Sequence, residues 1–264
     1  MSWLKLLTPL SGSARIQRAL GRYVNTAQLL MGVGAGAETH ASGEAGVLDF
    51  LRARLAPPYC VFDVGANAGQ YLALARARLG DAAYAIHCFE PSRSAFDRLR
   101  ASAGADPRVR LNRIGLGRAP ATLTLHYDAP GSGLASLTRR NLDYLGIPFE
   151  GSEEVAVETI DRYCTGNAIE RIHLLKLDIE GHELDALDGA QAMFARRAVD
   201  LVVFEFGGCN IDTRTYLRDF WRFFEAAGMD LMRVTPTGYL HPLGGYRESD
   251  EVFRTTNFLA IRRG

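Results

Sequence analysis

The sequence predicts an α/β fold built on a doubly wound, mostly parallel sheet, and two observations carry that expectation. Short apolar segments recur through the middle of the chain: "CVFDVG", "AIHCFEP", "VRLNRIGLG", "LLKLDIEG" and "LVVFEF". Stretches of helical periodicity separate most of them, which suits parallel strands joined by crossover helices. Short apolar strands alternating with helices in this way indicate a sheet covered on both faces.

The elements follow in order. Residues 13–31 read as an amphipathic helix capped by Ser13, with Ile16, Leu20, Tyr23, Val24, Ala27 and Met31 at helical spacing. The Gly-rich piece 32–37 breaks it. Ser42 is placed to cap a second helix through Leu55, which Pro57 and Pro58 stop before the first strand. This divides the chain into an N-terminal helical extension, 1–56, and a main domain, 57–264. Helices are expected from about Gly69 to Leu79 and near 92–103, with "VRLNRIGLG" as the third strand. Two segments depart from the alternation. Residues 120–160 read as an inserted hairpin, "ATLTLHY" and "EEVAVETI" around a Gly/Ser loop. The C-terminal part reads as two strands, the last suited to antiparallel addition at the sheet edge.

Composition sets outer limits on function. The chain has 264 residues, 47% hydrophobic and 23% charged, enough for one large α/β domain. Thirty basic residues balance thirty acidic ones, so charge gives no reason to expect a nucleic-acid partner. Cys60, Cys88, Cys164 and Cys209 form no CxxC pair, which argues against a zinc site or a disulfide framework and fits a reducing compartment. The N-terminal apolar run is short and interrupted by Pro9, and residues 29–37 fall short of the roughly 18 apolar residues a spanning helix needs. A cytoplasmic, soluble protein is expected. Trp3, Leu4, Leu6 and Leu7 could meet a membrane surface, a second copy in a homodimer or the core.

Two motifs carry chemistry. "DVGANAG", 63–69, ends the first strand in the pattern D-x-G-x-x-x-G rather than the dinucleotide pattern G-x-G-x-x-G. A carboxylate at its mouth, Asp63, would repel a pyrophosphate but suits an amino group. About twenty residues on, Glu90 ends the second strand, where an acidic side chain can accept from ribose hydroxyls. A nucleoside with a cationic amino-acid tail and no phosphates describes S-adenosylmethionine. The second motif, "LLKLDIEGHELDAL", 174–187, places Lys176, Asp178 and Glu180 at alternate positions of a strand end, on one expected face, with His182 and Glu183 following. So many ionisable groups after a buried strand are costly unless they face a cleft.

"VFDVGANAGQY", "CFEPS", "VETID" and "LKLDIEGHE", in this order, resemble the FkbM family of S-adenosylmethionine-dependent methyltransferases, over residues 42–206. The resemblance implies the Rossmann-like, seven-stranded class I methyltransferase fold and methyl transfer to oxygen, on sugar hydroxyls of glycans and glycosylated metabolites or on polyketide-type acceptors. It assigns Asp63, Gly65, Asn67 and Gly69, with Ala66, to the methionine-side loop. Glu90, with Pro91 and Ser92, becomes the ribose clamp. Ile114 and Gly115 line the adenine pocket, and Asp178 sits near the methionine or the reacting centre.

An alcohol acceptor must lose its proton as the oxygen attacks, so a general base or a metal is needed. Asp178, Glu180, His182 and Glu205 are the candidate bases, with Lys176 tuning the cluster electrostatically. Asp178, Glu180 and Glu205 also offer hard oxygen ligands to a divalent cation. Nothing in the sequence shows that they converge, so no metal is predicted. The loop "APGSGLASL", 129–137, could close over an acceptor or form a solvated hairpin tip, and Arg139–Arg140 could meet an anionic acceptor or lie on a solvated face. A nicotinamide-dependent oxidoreductase is disfavoured by the glycine pattern. A cofactor-binding scaffold without turnover is disfavoured by retention of both motifs.

Overall fold

Side chains alternate along a strand, and in this chain both directions lead into core: Val61 points into one apolar cluster and Phe62 into the other. The computed structural model describes residues 8–36 and 42–264. The contact surface expected of Trp3, Leu4, Leu6 and Leu7 lies outside the described residues. The central sheet contains β1 (Tyr59–Val64), β2 (Tyr84–Phe89), β3 (Val109–Asn112), β7 (Ile172–Leu177), β8 (Val199–Phe206), β9 (Met229–Val234), β10 (Leu240–Pro242) and β11 (Thr256–Arg262), in the order β10-β9-β11-β8-β7-β1-β2-β3. From β3 to β8 all neighbours are parallel, while β11 runs antiparallel to β8 and β9 on either side. Seven strands were expected in this sheet, and eight are present among the described residues. The additional one is three-residue β10, which folds back on β9. The late antiparallel strand lies inside the sheet, between β8 and β9, rather than at its edge.

The helices are α1 (Ala14–Leu30), α2 (Glu44–Arg54), α3 (Gln70–Leu79), α4 (Arg93–Ala103), α5 (Ile160–Gly166), α6 (Glu183–Asp188), α7 (Gln191–Ala195), α8 (Cys209–Thr213) and α9 (Leu217–Ala226). Ser13 caps α1 by accepting from Ile16 N at 3.3 Å, as its sequence predicts. At α2 the cap is Gly43, in the left-handed region at φ 81°, not Ser42. A side chain at 43 would collide with the Thr235 carbonyl, so glycine takes the cap position, and Ser42 instead donates to Glu44 Oε2 at 2.9 Å. Val47, Leu48 and Leu51 of α2 join α3 and α4 over one sheet face. On the other face, α5, α6, α7 and α9 bury Ile160, Leu187, Met193, Phe220 and Phe224. None of the described helices is long and apolar enough to cross a membrane. The four cysteines are free.

The third predicted strand is split. "VRLN" joins the main sheet as β3, whereas Gly115–Leu116 leaves it as β4 and pairs with Val157 and Glu158 of β6 (Gly151–Glu158). With β5 (Ala121–Tyr127), these form a second, three-stranded sheet, β4-β6-β5, which contains the predicted hairpin.

Strand order reverses between β1 and β7, since β2 and β3 extend to one side and β8 to the other. Open α/β sheets bind ligands at the carboxyl ends of the strands flanking such a reversal. β8 is held there by Phe204 and Phe206. Phe204 stacks on Phe220 with centroids 4.6 Å apart, which fixes Glu205 between them on the opposite face. Phe204→Ala is expected to cost about 3–5 kcal/mol of unfolding free energy, measured as a lowered urea midpoint.

Candidate active site

A cavity of about 490 Å³ opens at the carboxyl ends of β1, β2, β7 and β8. Of the expected cofactor residues, Gly65, Ala66, Asn67, Glu90, Pro91, Gly115 and Asp178 line it. Asp63, Gly69, Ser92 and Ile114 do not reach its surface and stand behind it. All five expected catalytic residues, Lys176, Asp178, Glu180, His182 and Glu205, are in its wall.

Asp63 and Lys176 face each other in register across the β1–β7 reversal. Asp63 is 0% exposed, and Lys176 Nζ lies 3.3 Å from its Oδ1 and 3.3 Å from Asp178 Oδ2. The Asp63 contact is an ion pair outside hydrogen-bond geometry, because neither Asp63 oxygen has a hydrogen-bond donor. Burial raises the Asp63 pKa and Lys176 opposes that rise. Burial acts to lower the Lys176 pKa, but Asp178, Asp63 and Glu44 more than reverse it, so Lys176 stays protonated. It also lies 5.2 Å from the centroid of the Tyr71 ring.

The glycine turn has a local cause. Gly65 sits at φ 81°, and a Cβ there would run into the Asp178 carbonyl oxygen. Asp178 N in turn donates to Val64 O at 3.1 Å. What approaches this glycine most closely is therefore the end of β7 itself. The next residues form a cradle: Asn67, at φ 44°, donates its backbone N–H to Glu90 Oε2 at 2.9 Å, and Ser92 N donates to Glu90 Oε1 at 2.8 Å. Each carboxylate oxygen keeps a lone pair for a further donor. Burial pushes the Glu90 pKa up to about 7 against these two bonds.

The acidic wall is shaped by a turn, not by strand alternation. β7 ends at Leu177, so Asp178 and Glu180 do not continue the pleat as the sequence suggests. Glu180 adopts φ 52° and Gly181 φ 99°. Glu183, 0% exposed, holds this turn by accepting from Ile179 N at 3.0 Å and Gly181 N at 3.2 Å through Oε1. One oxygen each from Asp178, Glu180 and Glu205 thereby lies within 4.8 Å of the others. Burial raises Glu180 to about 8 and puts Glu205 well above the usual carboxylate range, with neighbouring carboxylates adding to both. His182 is engaged at both ring nitrogens, Nδ1 to Asp185 Oδ2 at 2.8 Å and Nε2 to Thr138 Oγ1 at 3.0 Å.

Arg140 is drawn inward, its Nη1 2.6 Å from Glu180 Oε2 and its Nε 3.4 Å from Asp212 Oδ2, while Arg139 donates to Phe149 O. Residues 132–137 of the Gly/Ser loop line the cavity, tied down where Ser136 Oγ donates to Glu180 O at 2.8 Å. Sequence reasoning missed Glu44, Tyr71 and Asn257, all in the wall. Glu44, raised by burial to about 7, comes from the helix assigned to the extension. The signal available for Asn257 was a polar residue inside the apolar strand "NFLAI".

The model of the Methyltransferase FkbM domain matches residues 63–231. The hexuronic acid methyltransferase AglP of Haloferax volcanii is 24% identical over 164 residues, 62% of this chain and 62% of that protein. The 2-O-methyltransferase NoeI of Sinorhizobium fredii is 26% identical over 115 residues, 40% of this chain and 47% of that protein. The chain thus spans less than two thirds of the length of either relative. A crystal structure of a methyltransferase FkbM from Methylobacillus flagellatus aligns with a TM-score of 0.47 at 16% identity, over 93% of this chain and 60% of that one.

Two outcomes are expected. Gly65→Ala forces a left-handed alanine against the Asp178 carbonyl and should cost about 1–3 kcal/mol or more, read as a lowered melting temperature. Glu44 and Glu90 carry folded pKa values of about 7 against an ordinary 4.5. The folded chain thus keeps protons that the unfolded chain releases. Their stabilising contribution is full below about pH 4.5 and lost as pH rises through about 7. Melting temperatures taken from pH 5 to 8 should fall less steeply in a Glu44→Gln/Glu90→Gln variant than in the wild type. The change is about 2–4 °C for each kcal/mol relieved.

Proposed function

From the premise that this chain belongs to the Methyltransferase FkbM domain family, we propose that it is an S-adenosylmethionine-dependent O-methyltransferase acting on a sugar hydroxyl. One observation carries the reading. A single cavity joins a cradle suited to a nucleoside, Gly65–Asn67 with Glu90, to a cluster of carboxylates suited to a cation and an acidic proton. The hexuronic acid substrate class of the Haloferax relative supports a sugar acceptor, and the 2-O-methyltransferase of Sinorhizobium supports oxygen as the receiving atom.

The residues fit the cofactor. Glu90 retains acceptor capacity for a ribose diol. Gly115 and Ala66 leave room in the wall where larger side chains would project. The carboxylate-rich side matches a ligand carrying ammonium and sulfonium charges. When bound, the cofactor supplies an electrophilic methyl group. This chain's part is to orient the acceptor and receive its proton. Lys176 is held protonated and cannot act as the base, and both nitrogens of His182 have partners. The proton therefore goes to an ionised carboxylate of the Asp178–Glu180–Glu205 cluster, where burial raises Glu180 and Glu205 toward the basicity an alcohol requires. The Gly/Ser loop, packed over this wall, limits water entry and bounds the acceptor side.

Calorimetric titration should show saturable binding of S-adenosylmethionine and of S-adenosylhomocysteine. Glu90→Gln should weaken both about 10–100-fold, the worth of hydrogen bonds to a charged group. Incubation with hexuronic-acid glycosides should add one methyl mass to the sugar. A folded sample that binds neither cofactor form would overturn the reading.

A further inference from the structure

Glu205 and Asn257 share one side of the cavity wall, and neither side chain hydrogen-bonds to a described residue. The Glu205 carboxylate makes no hydrogen bond or ion pair with a described residue. Asn257 is only 5% exposed, lines the same cavity, and its carboxamide is equally without a hydrogen bond. An amide held in such a wall without a protein partner is satisfied by what the cavity contains, water or a ligand.

Strand pairing sets these groups in a row. Asn257 stands opposite Glu205 in the β11–β8 register, so both side chains leave the same face. Asp178 follows one residue after the last paired step of β7 and β8, Leu177 with Phe204, which brings it level with Glu205. Glu180 closes the group from the turn above. The cations nearby are already shared, Lys176 between Asp63 and Asp178 and Arg140 between Glu180 and Asp212, and Glu205 has neither in contact. Carboxylate oxygens and an amide oxygen are the donors preferred by hard divalent cations, which hold them at about 2.0–2.6 Å. Donors on opposite sides of one such ion are then about 4–5 Å apart, which accommodates the 4.8 Å limit on the spread of the three carboxylate oxygens.

We propose that Asp178, Glu180 and Glu205, with the Asn257 amide oxygen, form a binding site for one divalent cation of the Mg²⁺ or Mn²⁺ class. Its role rests on the methyltransferase reading, although its existence does not. A cation there would lower the pKa of an acceptor hydroxyl and neutralise the crowded carboxylates.

The test is a titration of chelator-treated protein with Mn²⁺, followed by electron paramagnetic resonance, with Mg²⁺ as competitor. One saturable site displaced by Mg²⁺ is expected. Glu205→Gln should weaken it at least about 10–100-fold. Asn257→Asp adds a charged oxygen and should tighten it about tenfold, since ligand charge tunes affinity. A merely structural Asn257 would give no such gain. Absence of binding to folded wild type at about 1 mM Mn²⁺, or binding unchanged in both variants, overturns the proposal. S-adenosylhomocysteine titrated into the same samples separates the two ideas. Its binding without Mn²⁺ binding rejects the cation site alone, and Mn²⁺ binding without it rejects the methyltransferase reading and leaves the site.

Discussion

The cavity depends on the buried pair Asp63–Lys176. It sits where strand order reverses, between two parallel strands that no short connection joins, and both side chains are inside the protein. Such a pair is a poor source of net stability, because desolvating two charges consumes most of their attraction. Its consequence is positional. Loss of either partner would strand the other in low dielectric, so β1 and β7 cannot slip relative to one another without breaking the pair. The Asp178 carbonyl against Gly65 and the Asp178 N–H on Val64 O fasten the same junction through the backbone. The floor of the site is thus fixed before any ligand arrives.

That floor sets the electrostatics above it. Lys176 is fully committed, and the acids around it outnumber the cations, so burial and mutual repulsion lift several carboxylates at once. A cavity in this state favours positive ligands, because each positive charge that enters relieves repulsion among groups that cannot move apart. Protonation and ligand binding are therefore alternative ways of neutralising the same wall, and they are linked. Arg140 shows the chain's own use of this field. From a pair, Arg139–Arg140, that the sequence would also place on a solvated face, it is pulled into contact with Glu180 and Asp212.

How much of this was legible in the sequence follows from locality. Asp63, Gly65, Asn67 and Glu90 lie on two neighbouring strand ends, and their spacing reports a turn and a crossover that are local in the chain. The acidic motif was equally visible as a cost that a buried strand would not bear without a cleft. Its geometry was not visible, because the convergence of Asp178 and Glu180 comes from left-handed backbone after Leu177 rather than from the pleat. The break after Asn112 was hidden for another reason. Gly115–Leu116 leaves the main sheet to pair with residues some forty positions away, and nothing in "VRLNRIGLG" records that partner. Glu44 reads as an ordinary acid in a helix's first turn, and Asn257 becomes meaningful only once β11 lies beside β8.

The turn between β7 and α6 shows how strain is placed where the chemistry needs it. A glutamate at positive φ is disfavoured by steric contact between its Cβ and the backbone. An ordinary turn at Glu180 would point its carboxylate elsewhere. Glu183 holds the disfavoured form by binding the N–H groups of Ile179 and Gly181 with one oxygen, and Ser136 adds a bond to the Glu180 carbonyl. Gly181 cannot carry a side chain here, because a Cβ would press on Thr213. The string K-x-D-x-E-G-x-E therefore divides into parts. Lys176 anchors the floor, Asp178 and Glu180 face the cavity, and Gly181 and Glu183 hold the turn that aims them. The last two never touch the cavity's contents, and the aim of Asp178 and Glu180 depends on them.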